Sequence, residues 1–304
     1  MAALLRAFLK ALVLAALLAP AQAFAADAPQ PMLARIAAHP ALWTVHGAKG
    51  TVYLFGSIHI LPPNMIWHTP RIDTAMKASD VFVFEIPMDD TTTTGIADFI
   101  RDNGLLPPKT TLPSLLSPEA KKNYAAVLAL THTPPESLLD KRPWLAALVL
   151  DVSYMSERHL SPDSGVDREV YAEQAQGGKT FRALETPEQQ FRLLMPKDRK
   201  LEISEFDSSL KEILDDKGST GDMIDAWADG DVKRLAVLAR SDFKNDPSAE
   251  KALFTDRNRN WVGQIAGMLD EPHTFFITVG AGHLAGPNGV PALLRKKGFK
   301  VEGP

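Results

Sequence analysis

Two short segments of this chain share one pattern, Gly-x-x-His. Gly56-Ser57-Ile58-His59 lies near the beginning and Gly280-Ala281-Gly282-His283 near the end. A neutral imidazole takes up a proton near pH 7 or gives a ring nitrogen to a metal, so two of them in matching contexts point to one site built from both ends of the chain. Glu85 is the third candidate. It closes the apolar run Val81-Phe82-Val83-Phe84 just ahead of Pro87, and a carboxylate there is costly unless it is paired or binds a cation. Two imidazoles and a carboxylate can hold a divalent metal with positions left for water. They can also act without one, a His as general base and the Glu orienting it. The sequence leaves both chemistries open. It contains no His-Glu-x-x-His, the zinc-protease helix.

A fourth group follows from helical phase. With residues 250–269 as a helix, Arg257 falls inside the stripe formed by Leu253, Phe254, Trp261, Ile265 and Met268. Asn258 sits at the edge of that stripe and Arg259 points away. A buried arginine needs a carboxylate or an anionic ligand, so Arg257 is read as an anion clamp beside the site and Asn258 as a substrate contact. Glu185 ends the run Thr180 to Leu184, as Glu85 ends its own, and is given to substrate for the same reason. The surrounding Leu184-Glu185-Thr186-Pro187 also fits an ordinary helix start. Gly165-Val166-Asp167 opens another helix, with Asp167 expected as a cap. Ser57 has no support as a nucleophile beyond its place beside His59. The other six histidines (39, 46, 68, 132, 159 and 273) lie outside any such pattern. Gly280-x-Gly282-x-x-x-Gly286 is not a dinucleotide fingerprint, because too little chain follows for the ribose-binding acid.

These residues need elements to carry them. Leu42–Val45 and Thr51–Phe55 flank Gly47-Ala48-Lys49-Gly50 and read as a hairpin. Pro70 opens a helix to about Ala78, and the run 81–86 reads as a strand buried on both faces. Residues 51–87 are thus predicted to be a β-α-β unit with parallel strands. The stretch 88–118 holds four consecutive Thr, two Gly and four Pro and is predicted irregular, with at most a short helix near 96–101. From Pro118 to about Phe243 the pattern is mostly helical, interrupted by the strand at 180–184. Beyond it come the helix at 250–269, a strand at 274–279, a helix near 290–297 and a last strand near 299–301. The expected fold is α/β: a mixed sheet core from residues of about 40–87 and 250–304, with an irregular and helical insertion at about 88–249.

Residues 1–25 read as a secretory signal peptide: Arg6 and Lys10, an apolar Ala11–Ala19, the break at Pro20, and small-x-small sites at Ala21–Ala23 and Ala23–Ala25. The apolar run is short for a membrane span. The expected mature chain is therefore periplasmic or secreted and has no membrane span. The formal charge of −4 argues against nucleic acid as the partner. The sequence has no Cys, which excludes disulfides, thiolate nucleophiles and Cys-type zinc sites.

As an ordered set, Leu54-Phe55-Gly56-Ser57-Ile58-His59, Phe84-Glu85, Gly165-Val166-Asp167, Leu184-Glu185-Thr186 with Glu188-Gln189, Arg257-Asn258, and Val279 to Gly286 with Gly289-Val290 resemble the TraB/GumN family, which includes relatives of the Tiki proteases. The resemblance implies an α/β fold related to erythromycin-esterase-like and ChaN-like proteins. It implies a metal-dependent peptidase, with manganese or cobalt as the divalent cation, His59, Glu85 and His283 as its ligands and Arg257 in support. The expected function is an exported metal-dependent hydrolase acting on a peptide or other small polymer. Two alternatives stand beside it: a metal-independent ester or lactone hydrolase with a His base, and a non-catalytic periplasmic protein binding a peptide, haem or polymer.

Overall fold

The computed structural model describes residues 34–304, apart from 197, 216–218, 242 and 245; the expected leader lies outside the described residues. The short strand β1 (Ile36–Ala37) is followed by β2 (Leu42–His46) and β3 (Thr51–Ser57), which form the expected hairpin, and by β4 (Met65–Ile66), which pairs with β1. Helix α1 (Pro70–Ala78) starts behind the Thr69 cap, with Pro70 at its first position where no N–H is needed. Strand β5 (Val81–Phe84) is buried at all four residues. Much later come β6 (Thr180–Ala183), β7 (Thr274–Gly280) and β8 (Lys300–Glu302).

Six of these strands make one mixed sheet in the order β6-β5-β7-β3-β2-β8. Strands β6, β5, β7 and β3 are mutually parallel, while β2 runs antiparallel to both β3 and β8. The expected parallel β3-α1-β5 unit is present, but its two strands are not neighbours: β7, from the far end of the chain, lies between them. The stretch expected to be an insertion also reaches the core, because β6 extends the sheet beyond β5.

The sheet is buried on both faces. On one, Phe55, Phe82, Phe84 and Phe276 pack with Trp67, Trp227 and Phe254. On the other, Val52, Leu54, Val83, Phe275 and Ile277 meet Trp261, Val262 and Ile265, which belong to a helix described below. Continuous apolar strands are what such double coverage requires.

The segment predicted irregular contains a full helix, α2 (Asp90–Asn103), capped by the Asp89 side chain on Thr92 N–H. Its threonines and Gly95 disfavour helix, but Ile96 is fully buried and Phe99 stacks on Phe191, with ring centroids 4.9 Å apart. Tertiary packing overrides a weak local preference here. The helical layer continues with α3 (Pro118–Leu130), α4 (Pro143–Glu157), α5 (Val166–Ala175), α6 (Pro187–Leu194), α7 (Arg199–Asp215), α8 (Ser219–Ala228) and α9 (Val232–Ser241). A helical turn at Pro247–Glu250 and a π-helical turn at Lys251–Thr255 lead into α10 (Asp256–Met268), and α11 (Val290–Lys296) precedes β8. Among the described residues no helix is long and apolar enough to cross a membrane.

Candidate active site

Strands β3, β7 and β5 end side by side, with Ser57 opposite Gly280 and Phe84 opposite Thr278. His59, His283 and Glu85 therefore leave the carboxyl ends of three adjacent parallel strands, where open α/β sheets place their ligands. All three are buried. They converge on Gly280, whose N–H donates to Glu85 Oε1 at 2.7 Å. A Cβ at Gly280 would stand 3.2 Å from Glu85 Oε1, 3.6 Å from His283 Cδ2 and 3.7 Å from His59 Nε2. The glycine thus leaves open a small space that any side chain would fill. That space is the floor of a pocket walled by Met223, Ala239 and Phe254.

His59 is held by a residue whose sequence context is that of a helix cap. Asp167, in the first turn of α5, has Oδ1 2.8 Å from His59 Nδ1, and the Ser57 hydroxyl donates to the same oxygen at 2.7 Å. A carboxylate only accepts, so Nδ1 carries the proton and Nε2 keeps its lone pair. Burial pushes the His59 pKa down, but the charge and hydrogen bond of Asp167 act against it, and the net direction is upward from 6.5. Gly165 makes this contact feasible: a Cβ there would lie 2.4 Å from the His59 carbonyl oxygen. The bare backbone lets Val166 N–H donate to Ile58 O at 3.0 Å, which pins the start of α5 against the histidine. Ser57 Oγ sits on the Nδ1 side of the ring, 3.2 Å from Nδ1. The open nitrogen Nε2 is therefore not its base.

Helical phase places Arg257 and Arg259 correctly: the first side chain is 5% exposed, the second 65%. The role expected of Arg257 changes. Its Nε donates to Glu185 Oε1 at 2.8 Å, and Nη2 donates to Glu85 Oε2 at 2.7 Å and Glu185 Oε2 at 2.8 Å. Nη1 donates to His283 Nε2 at 3.0 Å and Leu253 O at 3.3 Å. A guanidinium has five N–H donors, and all five are engaged inside the protein. Arg257 is the hub that fixes Glu85, Glu185 and His283, with none left to clamp a substrate anion. Burial pushes the Glu85 carboxyl up, yet Arg257, the two histidines and the Gly280 N–H bring it down to about 2. Gln190 adds a donor to Glu85 Oε2 at 2.7 Å. The Thr186–Gln189 capping box sets the α6 turn that carries it.

His283 is closed on both sides. Asn258 uses its Nδ2 on Asn288 O, leaving Oδ1 to accept from His283 Nδ1 at 2.6 Å, while Arg257 occupies Nε2. These partners assign the neutral tautomer. Burial first, then Arg257, holds the His283 pKa well below 6.5. Its ring is packed against Trp261 and Phe254, at 4.4 and 4.9 Å between centroids. The donor set therefore does not fit the expected metal centre: His59 Nε2 and Glu85 Oε1 face the open space, but His283 offers it a C–H. Among the described residues no three His, Asp or Glu are grouped to hold a metal ion.

Asn258 and Glu185, given to substrate by the sequence reading, both lie behind the pocket. Asn258 is fully buried on His283. Glu185, just past the end of β6, is taken by Arg257 and by Trp261 Nε1 at 2.9 Å, both on α10. Two functional residues were missed. Asp167 had a signal, the Gly immediately before Val-Asp at a helix start. Gln190 had none, since only the fold brings α6 under β5.

The sequence model of the TraB/PrgY/gumN family matches residues 41–303. The chain belongs to this family. TraB/PrgY/gumN relatives include the uncharacterized protein YbaP of Escherichia coli (strain K12), 24% identical over 80% of this chain and 87% of its own length. An uncharacterized protein of Treponema pallidum (strain Nichols) is 20% identical over 84% of this chain and 80% of its own. No solved structure matches the chain. The family match spans every residue of the site just described, from Ser57 to His283.

Proposed function

We propose that this TraB/PrgY/gumN protein is a hydrolase of acyl bonds, ester, lactone or amide, with His59 as general base. The observation that carries this reading is the His59 imidazole: Nδ1 is fixed on Asp167, and Nε2 opens, beside ionised Glu85, onto the space above Gly280. A water there donates one proton to Nε2 and the other to Glu85 Oε1, which turns its lone pairs toward the pocket. His59 removes the first proton as the oxygen adds to the carbonyl carbon. The imidazolium, stabilised by Asp167 and Glu85, returns the proton to the leaving oxygen or nitrogen as the acyl bond breaks. Arg257, Gln190 and Asn258 act as positioning residues. They hold Glu85 charged and His283 neutral, so the floor of the pocket is preorganised before substrate arrives.

The family resemblance implies a divalent metal, but of the three expected ligands only His59 Nε2 and Glu85 Oε1 face the pocket, one donor short of the three that a catalytic site uses. The test is a panel of chromogenic esters, lactones and short peptides with purified protein, before and after chelator. Turnover that survives the chelator and disappears in His59→Ala supports the general-base reading. Turnover that tracks bound metal supports the metal-dependent one. Binding with no turnover of any member would make the protein a binding module. The leader expected at residues 1–25 supports placing this activity in the periplasm or beyond.

A further inference from the structure

We propose that Arg240 binds a carboxylate carried by the substrate, so that the site takes acyl compounds or peptides with a free carboxylate beside the scissile bond. The inference rests on the hydrolase reading for the position of that bond and adds the substrate class. Arg240 adjoins the pocket through three of its lining residues. It follows Ala239 on α9, its guanidinium carbon stands 5.1 Å from the centre of the Phe254 ring, and its Nη2 is 3.5 Å from Gly282 O. Its charge is among the groups that hold the His283 pKa below 6.5, so its field reaches into the site.

The two guanidiniums beside the Gly280–Gly286 turn differ in their partners. Arg257 has all five N–H donors engaged. Arg240 has one contact at the limit of a hydrogen bond, on Gly282 O, and its Nε is 3.7 Å from Glu250 Oε1, too far to donate. Nη1 is buried and has no hydrogen-bond partner. The Phe254 face attracts the charge but offers no lone pair. Gly286, held bare by its φ of 83°, leaves a gap there, since a Cβ would stand 3.6 Å from Nη1. Burial accordingly holds the Arg240 pKa below the usual arginine value, with Glu250 acting against it. Native folds pair nearly all buried donors, and an exception marks a place for a water, ion or ligand. A water would meet the donor but not the charge. A carboxylate meets both, with two oxygens spaced for the guanidinium fork. The side chain is 20% exposed, and so few bonds anchor it that the small side-chain shifts common on binding can bring both Nη groups to a ligand. The floor does not decide the sign of that ligand, because Arg257 at 2.7 Å offsets the Glu85 charge. Glu250 is the internal competitor, held back by Thr255 Oγ1 at 3.2 and 3.3 Å.

The test is calorimetric titration at pH 7 of N-acetyl-leucine and N-acetyl-leucinamide, which differ in the carboxylate. The proteins are wild type, Arg240→Gln, Arg240→Lys and Glu250→Gln, each checked for folding by circular dichroism. Wild type should bind the acid about tenfold or more tightly than the amide. Arg240→Gln should remove that preference by weakening the acid, whereas Arg240→Lys, with the charge but not the fork, should keep part of it. Glu250→Gln removes the competing carboxylate and should tighten the acid severalfold; it serves as the independent readout if Arg240→Gln does not fold. The acid binding no more tightly than the amide, a preference that survives in folded Arg240→Gln, or an unchanged acid affinity in Glu250→Gln would each overturn the proposal. Acid-selective binding by a wild type that hydrolyses nothing in the ester, lactone and peptide panel would uphold this inference while removing the hydrolase reading. Turnover of that panel with no preference for the acid would do the reverse.

Discussion

Replacing Arg257 by Ala tests the hub directly. The change leaves Glu85 and Glu185 buried without their counter-ion and His283 Nε2 without its donor. Breaking a buried pair from one side costs about 3–5 kcal/mol, a large part of the roughly 5–15 kcal/mol that holds a domain folded. The pH dependence separates this cause from simple loss of packing. In the wild type the Glu85 pKa is about 2, against 4.5 for the free side chain. A depressed folded pKa means that the group's contribution is present above about pH 4.5 and is lost as pH falls toward 2. By linkage it amounts to about 3 kcal/mol. In Arg257→Ala burial is no longer opposed by the guanidinium, so the Glu85 pKa is expected to rise well above its wild-type value and past that of the free side chain. The penalty is then full at neutral pH and relieved as acid protonates the carboxyl. The wild type weakens on acidification while the variant recovers, and the gap between them should narrow by about 1 kcal/mol or more between pH 7 and pH 4. Urea unfolding of both proteins at the two pH values, followed by circular dichroism, measures it. A difference below about 1 kcal/mol at pH 7, or one that does not change with pH, would refute the reasoning. Arg257→Lys keeps the charge but not the forked geometry and should fall between the two.

Further outcomes follow from the same site. His59→Ala should lower kcat by about 10²–10⁴-fold and, by taking the imidazole donor from buried Asp167, lower stability by about 1–3 kcal/mol; a folded variant that retains turnover would exclude His59 as base. Because Asp167 holds the His59 pKa above 6.5 and the base must be neutral, activity should be lost as pH falls through a value above 6.5. Asp167→Asn should move that limb to lower pH as well as reduce the rate, and an unmoved limb would show that another group titrates. Gly165→Ala puts a methyl 2.4 Å from the His59 carbonyl oxygen, an overlap with backbone that should cost about 1–3 kcal/mol and disturb kcat more than KM; a neutral effect in both assays would mean that α5 does not position His59. Exhaustive chelation should leave turnover unchanged, with metal analysis of the active protein as the check; activity restored only by an added divalent ion would overturn the metal-free mechanism.

How far the sequence could be read depended on whether the signal was local. The runs at 51–55, 81–84 and 274–279 carried their own evidence, since strands covered on both faces must be apolar throughout. The Gly and His after the first and last of them, and Glu85 with Pro87 after the second, marked where the chain turns out of the sheet. Arg257 and Arg259 were separated by helical phase alone. What the sequence did not show was partner choice. The sequence shows that Arg257 is buried, but not whether it meets a ligand or three residues of its own protein. His283 shares its pattern with His59 yet differs in chemistry, because Asn258 and Arg257 close one imidazole while Asp167 opens the other. Gln190 lies on an ordinary capped helix, and only the placement of α6 beneath β5 makes it a donor to Glu85. The helix at 90–103 was hidden for a related reason: its threonines argue against it locally, and the packing of Ile96 and Phe99 decides.

The position of β7 explains why chemistry and stability share residues here. The β3-α1-β5 unit leaves a gap one strand wide between the strand ends that carry His59 and Glu85. Only β7 fills it, and β7 brings Gly280 and His283 with it, directly after α10 has supplied Arg257. Filling the gap pairs the central strands, gives Glu85 its N–H and its guanidinium, and creates the small open space at Gly280 in one step. The insertion then closes the site from the other side, with Asp167 on α5 and Gln190 on α6. Without this arrangement Glu85 would be a buried charge with no partner, which is among the least tolerable features a core can have. The carboxylate, kept ionised near the middle of the fold and facing a histidine with a free nitrogen, is thus affordable only because the same strand completes both the sheet and the site.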